Sequence, residues 1–158
     1  MTSRLKKMGI GLTVVGSLAI GLVGGYEGLR TKAYRDIVGV PTVCFGETRG
    51  VKLGDVYSVD ECRAMLGDAL LEFETGMRRC MVFPDSVPDK PYVAFLSFTY
   101  NVGVGAFCKS TLARKVNAGD IRGGCNELPK WNRAGGRVVK GLIRRRAEER
   151  ALCLSGLR

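Results

Sequence analysis

The N-terminal stretch constrains this chain most, because it is almost apolar enough to cross a membrane. Gly9–Gly25 is a run of 17 uncharged residues that follows the basic residues Arg4, Lys6 and Lys7. A basic flank of this kind keeps its end of the chain in the cytoplasm and sends the rest outward. As a helix with ~1.5 Å per residue the run would be about 25 Å long, which is short of the ~30 Å hydrocarbon core of a bilayer. Six of its residues are glycine, which weakens a helix.

This apolar run allows four interpretations. It can be a cleaved signal peptide, with Val23-x-Gly25 as a poor cleavage site, or a permanent anchor, which its glycine content disfavours. It can also be a temporary anchor that later leaves the bilayer, or a glycine-rich helix buried in a soluble protein. We favour the temporary anchor, because a segment that must leave the membrane has to be only marginally apolar.

The chain as a whole has the composition of a globular protein but is strongly basic. Its 158 residues favour one domain, with room for a small second lobe. The formal charge of +10 favours polyanionic partners, namely nucleic acid, an anionic membrane or an acidic cell-wall polymer. Histidine is absent, which excludes Ser-His and Cys-His catalysis and disfavours an ordinary zinc site. Acid–base chemistry therefore falls mainly on carboxylates, and we expect no metal and no cofactor.

The cysteines favour disulfide bonds. There are six, at Cys44, Cys62, Cys80, Cys108, Cys125 and Cys153. No pair has Cys-x-x-Cys spacing, so a metal or redox role is only weakly indicated. An even number behind a possible export signal favours disulfides formed outside the cytoplasm over six buried free thiols. The sequence does not select one connectivity.

Two patterns follow the apolar run. Within residues 26–57, the stretch Asp36–Phe45 predicts a short hairpin or small sheet, and Pro41 places its strand at an edge. From Ser58 onward helical spacing takes over, and Ser58 with Glu61 has the form of a capping box. Helices are predicted at about 62–77, 92–102, 109–117, 120–131 and 142–153, the second of them buried because it is apolar almost all round. The fold class is α+β, with a small N-terminal hairpin lobe and a larger, mainly helical lobe.

Three residues carry the candidate chemistry: Glu27, Asp36 and Thr42. Glu27 would end the first helix and the other two would lie on the hairpin, so all three could converge on a cleft between the lobes. Glycoside hydrolysis needs two carboxyl groups, one that carries a proton and one that is ionised. Burial beside apolar groups would favour the proton-carrying form of the first, and a threonine hydroxyl can hold the water. The alternative is a helix-end carboxylate with ordinary turn residues.

The segment around these residues resembles the active-site signature of the phage lysozymes of glycoside hydrolase family 24. Similar segments follow one another in the family's order: Glu27–Gly46, Phe98–Gly105, Ser110–Leu112, Trp131–Gly136 and Gly141–Glu149. The resemblance covers about residues 26–155 and implies a lysozyme-like fold. It implies that Glu27 is the general acid, Asp36 the second carboxylate and Thr42 the water-positioning hydroxyl. The bond cleaved would be the β-1,4 bond between N-acetylmuramic acid and N-acetylglucosamine in peptidoglycan, usually with inversion.

The resemblance also implies residues that bind the glycan or tune the acid. Plain packing is the alternative role for the candidate substrate-binding residues, which are Asn101, Trp131, Asn132, Gly135 and Gly136. Arg145 would tune the acid if it paired with Glu27, but would only stabilise a helix if it paired with Glu149.

Two positions depart from the family pattern. Members often carry Trp at the position of Pro41, and Gly-His-Thr where this chain has Gly46-Glu47-Thr48. Glu47 therefore adds a negative charge near the expected cleft. We expect this charge to affect the local pH dependence at the cleft and the contacts with sugar.

The N-terminus resembles that of a subset of this family, the signal-anchor-release endolysins. These enzymes are exported by a weak anchor, held inactive against the inner membrane and freed when the membrane depolarises. We therefore expect residues 1–25 to form a releasable segment that contacts the inner membrane through residues 9–25. Residues 26–158 would be the catalytic domain, which faces the periplasm and is later soluble there. Residues 1–43 contain no cysteine, so we expect control by membrane topology and not by thiol exchange.

Other functions fit the sequence less well. No recognition helix or aromatic platform supports nucleic-acid binding, and the export signal opposes it, so we expect no nucleic-acid partner. A lytic transglycosylase would need only Glu27, so the presence of Asp36 and Thr42 favours hydrolysis. A protein that disrupts membranes through residues 1–25 would need no acid at all. We expect a monomeric endolysin that lyses the host cell by hydrolysing peptidoglycan.

Overall fold

The computed structural model describes residues 3–7 and 11–158, and the chain divides into two compact units. One, here called the hairpin unit, is Leu5–Leu71, and the other, the helical unit, consists of Met1–Arg4 and Glu72–Arg158. Helices dominate and the strands occur in small antiparallel pairs, so the fold class is α+β as predicted. Among the described residues, no helix is both long and apolar enough to cross a membrane.

The hairpin unit begins with the segment that was considered as an anchor. Strand β1 (Lys6–Lys7) pairs with β2 (Gly11–Leu12), and α1 (Val14–Glu27) follows. The threonine hydroxyl of Thr13 caps α1, since it accepts the N–H of Gly16 at 3.1 Å. One helix therefore contains most of the predicted apolar run and continues past residue 25 to Glu27. Residues 8–10, which include the start of that run, lie outside the described residues.

Glycines in α1 permit close packing. A Cβ added at Gly16 would lie 2.3 Å from the carbonyl oxygen of Leu5, and one at Gly24 would lie 3.2 Å from the Phe45 ring. Real Cβ atoms are not found as close as the first of these distances, so only glycine fits at position 16 without a shift of backbone. The glycines that weaken the run as a membrane helix thus allow α1 to pack within the hairpin unit.

A two-stranded hairpin and the first part of a long helix complete this unit, and the helix continues into the helical unit from Glu72. Strand β3 (Arg30–Arg35) pairs antiparallel with β4 (Pro41–Cys44), so Pro41 lies in an edge strand as predicted. Helix α2 (Val59–Arg79) begins at the predicted capping box: the Ser58 N–H donates to the Glu61 carboxylate at 2.7 Å, and the Glu61 N–H donates to the Ser58 hydroxyl at 3.2 Å. The capping box is confirmed.

The helical unit contains the remaining helices. They are α3 (Asp89–Val102), α4 (Val104–Lys109), α5 (Thr111–Asn117), α6 (Ile121–Glu127) and α7 (Lys140–Ser155), with 3-10 turns at Pro84–Ser86 and Leu128–Lys130. A tight hairpin of β5 (Arg133–Ala134) and β6 (Arg137–Val138) precedes α7. The prediction of a buried helix at 92–102 is confirmed, because its residues from Pro91 to Thr99 are buried.

Each predicted helix has at least one end displaced by two to four residues, and two of the displacements have a local cause. The predicted helix 109–117 begins at Thr111, because Ser110 caps α5 by accepting the N–H of Ala113 at 3.0 Å. The predicted helix 120–131 ends as an α-helix at Glu127 and passes into the 3-10 turn that contains Pro129. Proline lacks the N–H that would continue the α-helical hydrogen bonding.

All six cysteines are paired, as the sequence favoured. Cys44–Cys62 links β4 to α2 inside the core of the hairpin unit, next to Ala33 and Val43. In the helical unit the disulfides are Cys80–Cys108 and Cys125–Cys153, the latter joining α6 to α7.

A buried carboxylate joins α7 to α3. Glu149 is fully buried, and its Oε1 accepts hydrogen bonds from the Ser97 hydroxyl at 2.6 Å and from Arg145 Nε at 3.2 Å. Its Oε2 lies 2.8 Å from Nε of Arg146, which is also fully buried. Burial raises the pKa of Glu149, whereas the charge of Arg146, the Ser97 hydrogen bond and Arg145 favour its ionised form.

Replacing Glu149 by Ala is expected to lower the free energy of unfolding by about 3–5 kcal/mol, because it removes the carboxylate that two buried guanidinium groups contact. The neighbouring residue offers a matched control. Glu148 pairs with Arg144 in solvent, so Glu148→Ala should cost less than about 1 kcal/mol. Denaturant unfolding of both variants checks this, and equal losses would contradict the central role of Glu149.

Candidate active site

The three predicted catalytic residues all belong to the hairpin unit. Glu27 is the last residue of α1, Asp36 directly follows β3, and Thr42 lies in β4 opposite Tyr34. Gly28 ends α1 with a φ of 73°, a backbone conformation that glycine adopts without strain. The chain then turns into β3, and Asp36 follows the last residue of that strand.

The hairpin turn orients the Asp36 carboxylate. Its Oδ1 accepts the N–H groups of Val38 and Val40 at 3.0 and 2.8 Å, and its own N–H donates to the Val40 carbonyl at 3.0 Å. Gly39 makes the turn possible with a φ of 86°. No described residue donates a hydrogen bond to Oδ2 of Asp36. The turn therefore fixes the group through one oxygen and leaves the other for a ligand or water.

Thr42 is hydrogen-bonded to Val40, the turn residue that also binds Asp36. It is buried, with 4% exposure, and its hydroxyl donates to the Val40 carbonyl at 3.0 Å. Because its only hydrogen is used in this bond, the hydroxyl oxygen can act toward a further group only as an acceptor. A water molecule there would have to point a hydrogen at Thr42.

Glu27 departs from one expectation. A proton-carrying acid is expected to be buried beside apolar groups, but Glu27 is exposed. The reason is local: the fully buried residue at this end of α1 is Val23, one turn earlier, whereas Glu27 is the terminal residue of the helix.

The predicted sugar-binding residues lie in the helical unit, and the Glu149 cluster supports two of them. Arg146 donates to the Asn101 side-chain oxygen at 2.9 Å, and its guanidinium lies 5.0 Å from the centre of the Phe98 ring. The Phe98 ring in turn meets Trp131 edge-on with 5.1 Å between ring centres. Sequence reasoning missed this role of Arg146. The available signal was a Glu three residues after an Arg on a helix, together with a serine inside an otherwise apolar helix.

The glycine pair at 135 and 136 forms the turn between β5 and β6. Both have positive φ values, 55° and 76°, and Arg133 donates to the Gly136 carbonyl at 3.2 Å. The Asn132 carbonyl accepts the N–H of Val139 at 2.9 Å, which closes the base of this hairpin. The turn by itself therefore accounts for glycine at these positions, and contact of Asn132 and the turn with sugar stays a prediction.

The structure shows the hydrogen-bond partners of two charged residues near the predicted site, Arg145 and Glu47. Arg145 pairs with Glu149 and also donates to the Ser97 carbonyl at 3.3 Å, so the helix-stabilising alternative is present. Glu47 accepts the N–H groups of Thr48 and Arg49 at 2.9 and 2.8 Å. Burial opposes the ionisation of Glu47, but hydrogen bonds from Arg49 and Thr48 outweigh it and lower its pKa.

The residues 3–7 and 11–158 contain no group of three or more acidic or cysteine side chains that could hold a metal ion.

Comparison with known proteins identifies the family. The sequence model of the phage lysozymes matches residues 24–149. The chain belongs to the phage lysozyme family. Membership makes it a lysozyme, which is a glycoside hydrolase, and the match includes all three predicted catalytic residues.

Individual relatives agree with this assignment. The SAR-endolysin of bacteriophage PS119 is 44% identical over 133 residues, which are 84% of this chain and 78% of that protein. A variant of P22 lysozyme has a similar structure, with a TM-score of 0.80 and 29% identity over 87% of this chain and 96% of the other. The active form of the phage P1 endolysin Lyz shares the fold, with a TM-score of 0.80 and 24% identity over 99% of this chain and 98% of that one.

The lowered pKa of Glu47 gives a pH prediction for this lysozyme. Its ionised form stabilises the fold above its ordinary pKa of 4.5, and that contribution is lost as the pH falls through the lower folded value. Glu47→Gln should therefore be less stable than the parent near neutral pH, with a difference that shrinks below about pH 4.5. Denaturant unfolding over a pH series measures this, and a difference independent of pH would contradict it.

Proposed function

We propose that this lysozyme hydrolyses the β-1,4 bond between N-acetylmuramic acid and N-acetylglucosamine, with Glu27 as general acid, Asp36 as general base and Thr42 as the group that positions water. The observation that carries the proposal is the shared link through Val40, whose N–H and carbonyl groups hold Asp36 and Thr42 respectively. Two groups that must act on one water molecule are thereby fixed to one turn.

The hydrogen-bond directions determine how that water would be held. Since the Thr42 hydroxyl donates to Val40, a bound water donates one hydrogen to Thr42 and its other hydrogen to Oδ2 of Asp36. Both hydrogens are then directed at the protein, and an oxygen lone pair is left for the anomeric carbon of the sugar. Asp36 takes a proton as the oxygen attacks, which favours inversion at that carbon.

Glu27 completes the reaction by giving its proton to the leaving glycosidic oxygen. The proton that Asp36 gains and the one that Glu27 loses are returned by exchange with solvent, and both carboxyl groups reach their starting states. We further propose that Asn101, Trp131, Asn132 and the turn at Gly135 and Gly136 contact the glycan.

We also propose that residues 9–25 hold the enzyme at the inner membrane until release, after which it acts as a soluble monomer in the periplasm. The name SAR-endolysin of the PS119 relative supports this. So does the position of Val15, Ala19 and Val23, which lie in α1 and are buried in the folded chain. While those residues were in a bilayer they could not supply this packing, and the helix that ends at Glu27 would be absent from the enzyme.

Glu27→Gln is expected to reduce wall hydrolysis by about 10²–10⁴-fold, because the N–H groups of the amide are too weakly acidic to protonate the leaving oxygen. The assay is clearing of outer-membrane-permeabilised Gram-negative cells by purified protein. Glu148→Gln, a change of the same kind on the exposed side of α7, should clear at the parental rate. Equal clearing by parent and Glu27→Gln would contradict the mechanism and indicate membrane damage by residues 1–25.

Thr42→Val should lower the rate of hydrolysis by about 10²-fold, because it keeps the side-chain volume but loses the oxygen that orients water. Thr42→Ser keeps that oxygen and should stay within about tenfold of the parent. Reducing muramic ends are counted with purified peptidoglycan. Anhydro ends, or full activity in Thr42→Val, would refute the placement of water by Thr42.

A further inference from the structure

A second polar site lies in the helical unit, and its central group is a buried carboxylate. Glu74 of α2 is only 1% exposed. Its Oε1 accepts the backbone N–H of Arg4 at 2.8 Å, and its Oε2 accepts the hydroxyl of Ser3. The N-terminal end of the chain therefore supplies two of the three hydrogen bonds that described residues donate to this carboxylate.

The Arg4 side chain continues the contact. Its Nη1 donates to the carbonyl oxygens of Pro84 and Val87 at 3.1 and 2.7 Å, and its Nη2 pairs with Asp89. The guanidinium also lies 4.1 Å from the centre of the Tyr92 ring. Two carbonyls, a carboxylate and an aromatic face in this arrangement match the planar, forked shape of a guanidinium better than that of an ammonium group.

The base of the site consists of groups that do not depend on the N-terminus. The Tyr92 hydroxyl donates to Glu74 at 2.7 Å and accepts from Arg78 at 3.2 Å, and Arg78 contacts both carboxylate oxygens of Asp85 at 2.9 Å. Burial raises the pKa of Tyr92, so that its hydroxyl keeps its proton and remains a donor to Glu74. None of these four hydrogen bonds involves Ser3 or Arg4.

We propose that Glu74, Tyr92, Asp89 and the carbonyl groups of Pro84 and Val87 form a binding site for the chain's own Ser3–Arg4, and that its occupation favours the released, folded enzyme. The claim that occupation favours the released enzyme rests on the proposed membrane anchoring. In the anchored chain the basic residues before Gly9 lie on the cytoplasmic side, whereas Glu74 belongs to the exported part. Arg4 and Glu74 can meet only after residues 9–25 have left the bilayer.

Arg4 would thus act twice. Before release its charge helps to set the orientation of the anchor. After release the same guanidinium, together with Ser3, supplies Glu74 and Asp89 with partners that they lack in the anchored state. Binding of Ser3–Arg4 therefore opposes return of the segment to the membrane.

Arg4→Gln and Lys6→Gln in the full chain form a matched pair. Each removes one positive charge before the apolar run, so both should affect export to a similar extent. Lys6, however, pairs with Asp68 at 3.6 Å with both side chains exposed, whereas the partners of Arg4 include the buried Glu74. Cells that express each variant are fractionated before and after the membrane is depolarised. We expect Arg4→Gln to leave the membrane fraction later and less completely than Lys6→Gln and the parent. In purified protein we expect its Tm to be about 5 °C lower, and that of Lys6→Gln to change by about 1 °C or less.

Arg4→Lys provides a second test that keeps the charge. It should be exported like the parent but release more slowly, because an ammonium group cannot bind all of the partners of Arg4. One outcome is that the parent enters the membrane fraction and leaves it on depolarisation, while both Arg4 variants match Lys6→Gln in release and in Tm. In that case the anchoring stands and this inference is overturned. If the parent never enters the membrane fraction, the anchoring and its coupling to this site are both refuted, and the Tm difference alone decides whether Ser3–Arg4 binds there.

Discussion

The buried ion cluster of Glu149, Arg145 and Arg146 ties the helical unit together, because none of these groups can be buried without the others. A lone charge in such an interior would cost several kcal/mol, whereas here the carboxylate meets two guanidinium groups and the Ser97 hydroxyl. The orientation of Asn101 follows directly from Arg146. The position of α7 against α3 and the geometry of a predicted glycan contact therefore have one electrostatic cause.

In the hairpin unit, local hydrogen bonds hold the candidate catalytic groups in place. Asp36, Val40 and Thr42 are linked by hydrogen bonds that span no more than four residues along the chain. Such a turn needs little support from distant parts of the protein to hold its shape, and it presents a carboxylate oxygen and a hydroxyl oxygen together. The proposed general base and its proposed water-positioning partner are therefore held by one turn, whereas the position of the proposed acid, Glu27, depends on the helix before it.

Local features of this kind were predictable from the sequence. The capping box at Ser58, the buried helix around Phe95 and the hairpin that carries Asp36 all depend on neighbours within a few residues, and all three are present. The disulfide partners, the burial of Arg146 and the contact of Arg4 with Glu74 join residues far apart in the chain, and no local pattern encodes them. The exposure of Glu27 escaped prediction because it depends on where α1 ends relative to the core.

The glycine at position 16 has a consequence for how such an enzyme can evolve. Its α-hydrogen faces the Leu5 carbonyl, where a methyl group would lie 2.3 Å from oxygen. A larger, more apolar residue here would strengthen the affinity of the segment for lipid. Its Cβ would also clash with the Leu5 carbonyl and prevent α1 from packing. Under the proposed anchoring, selection for firmer retention in the membrane and selection for a working fold are thus opposed at position 16.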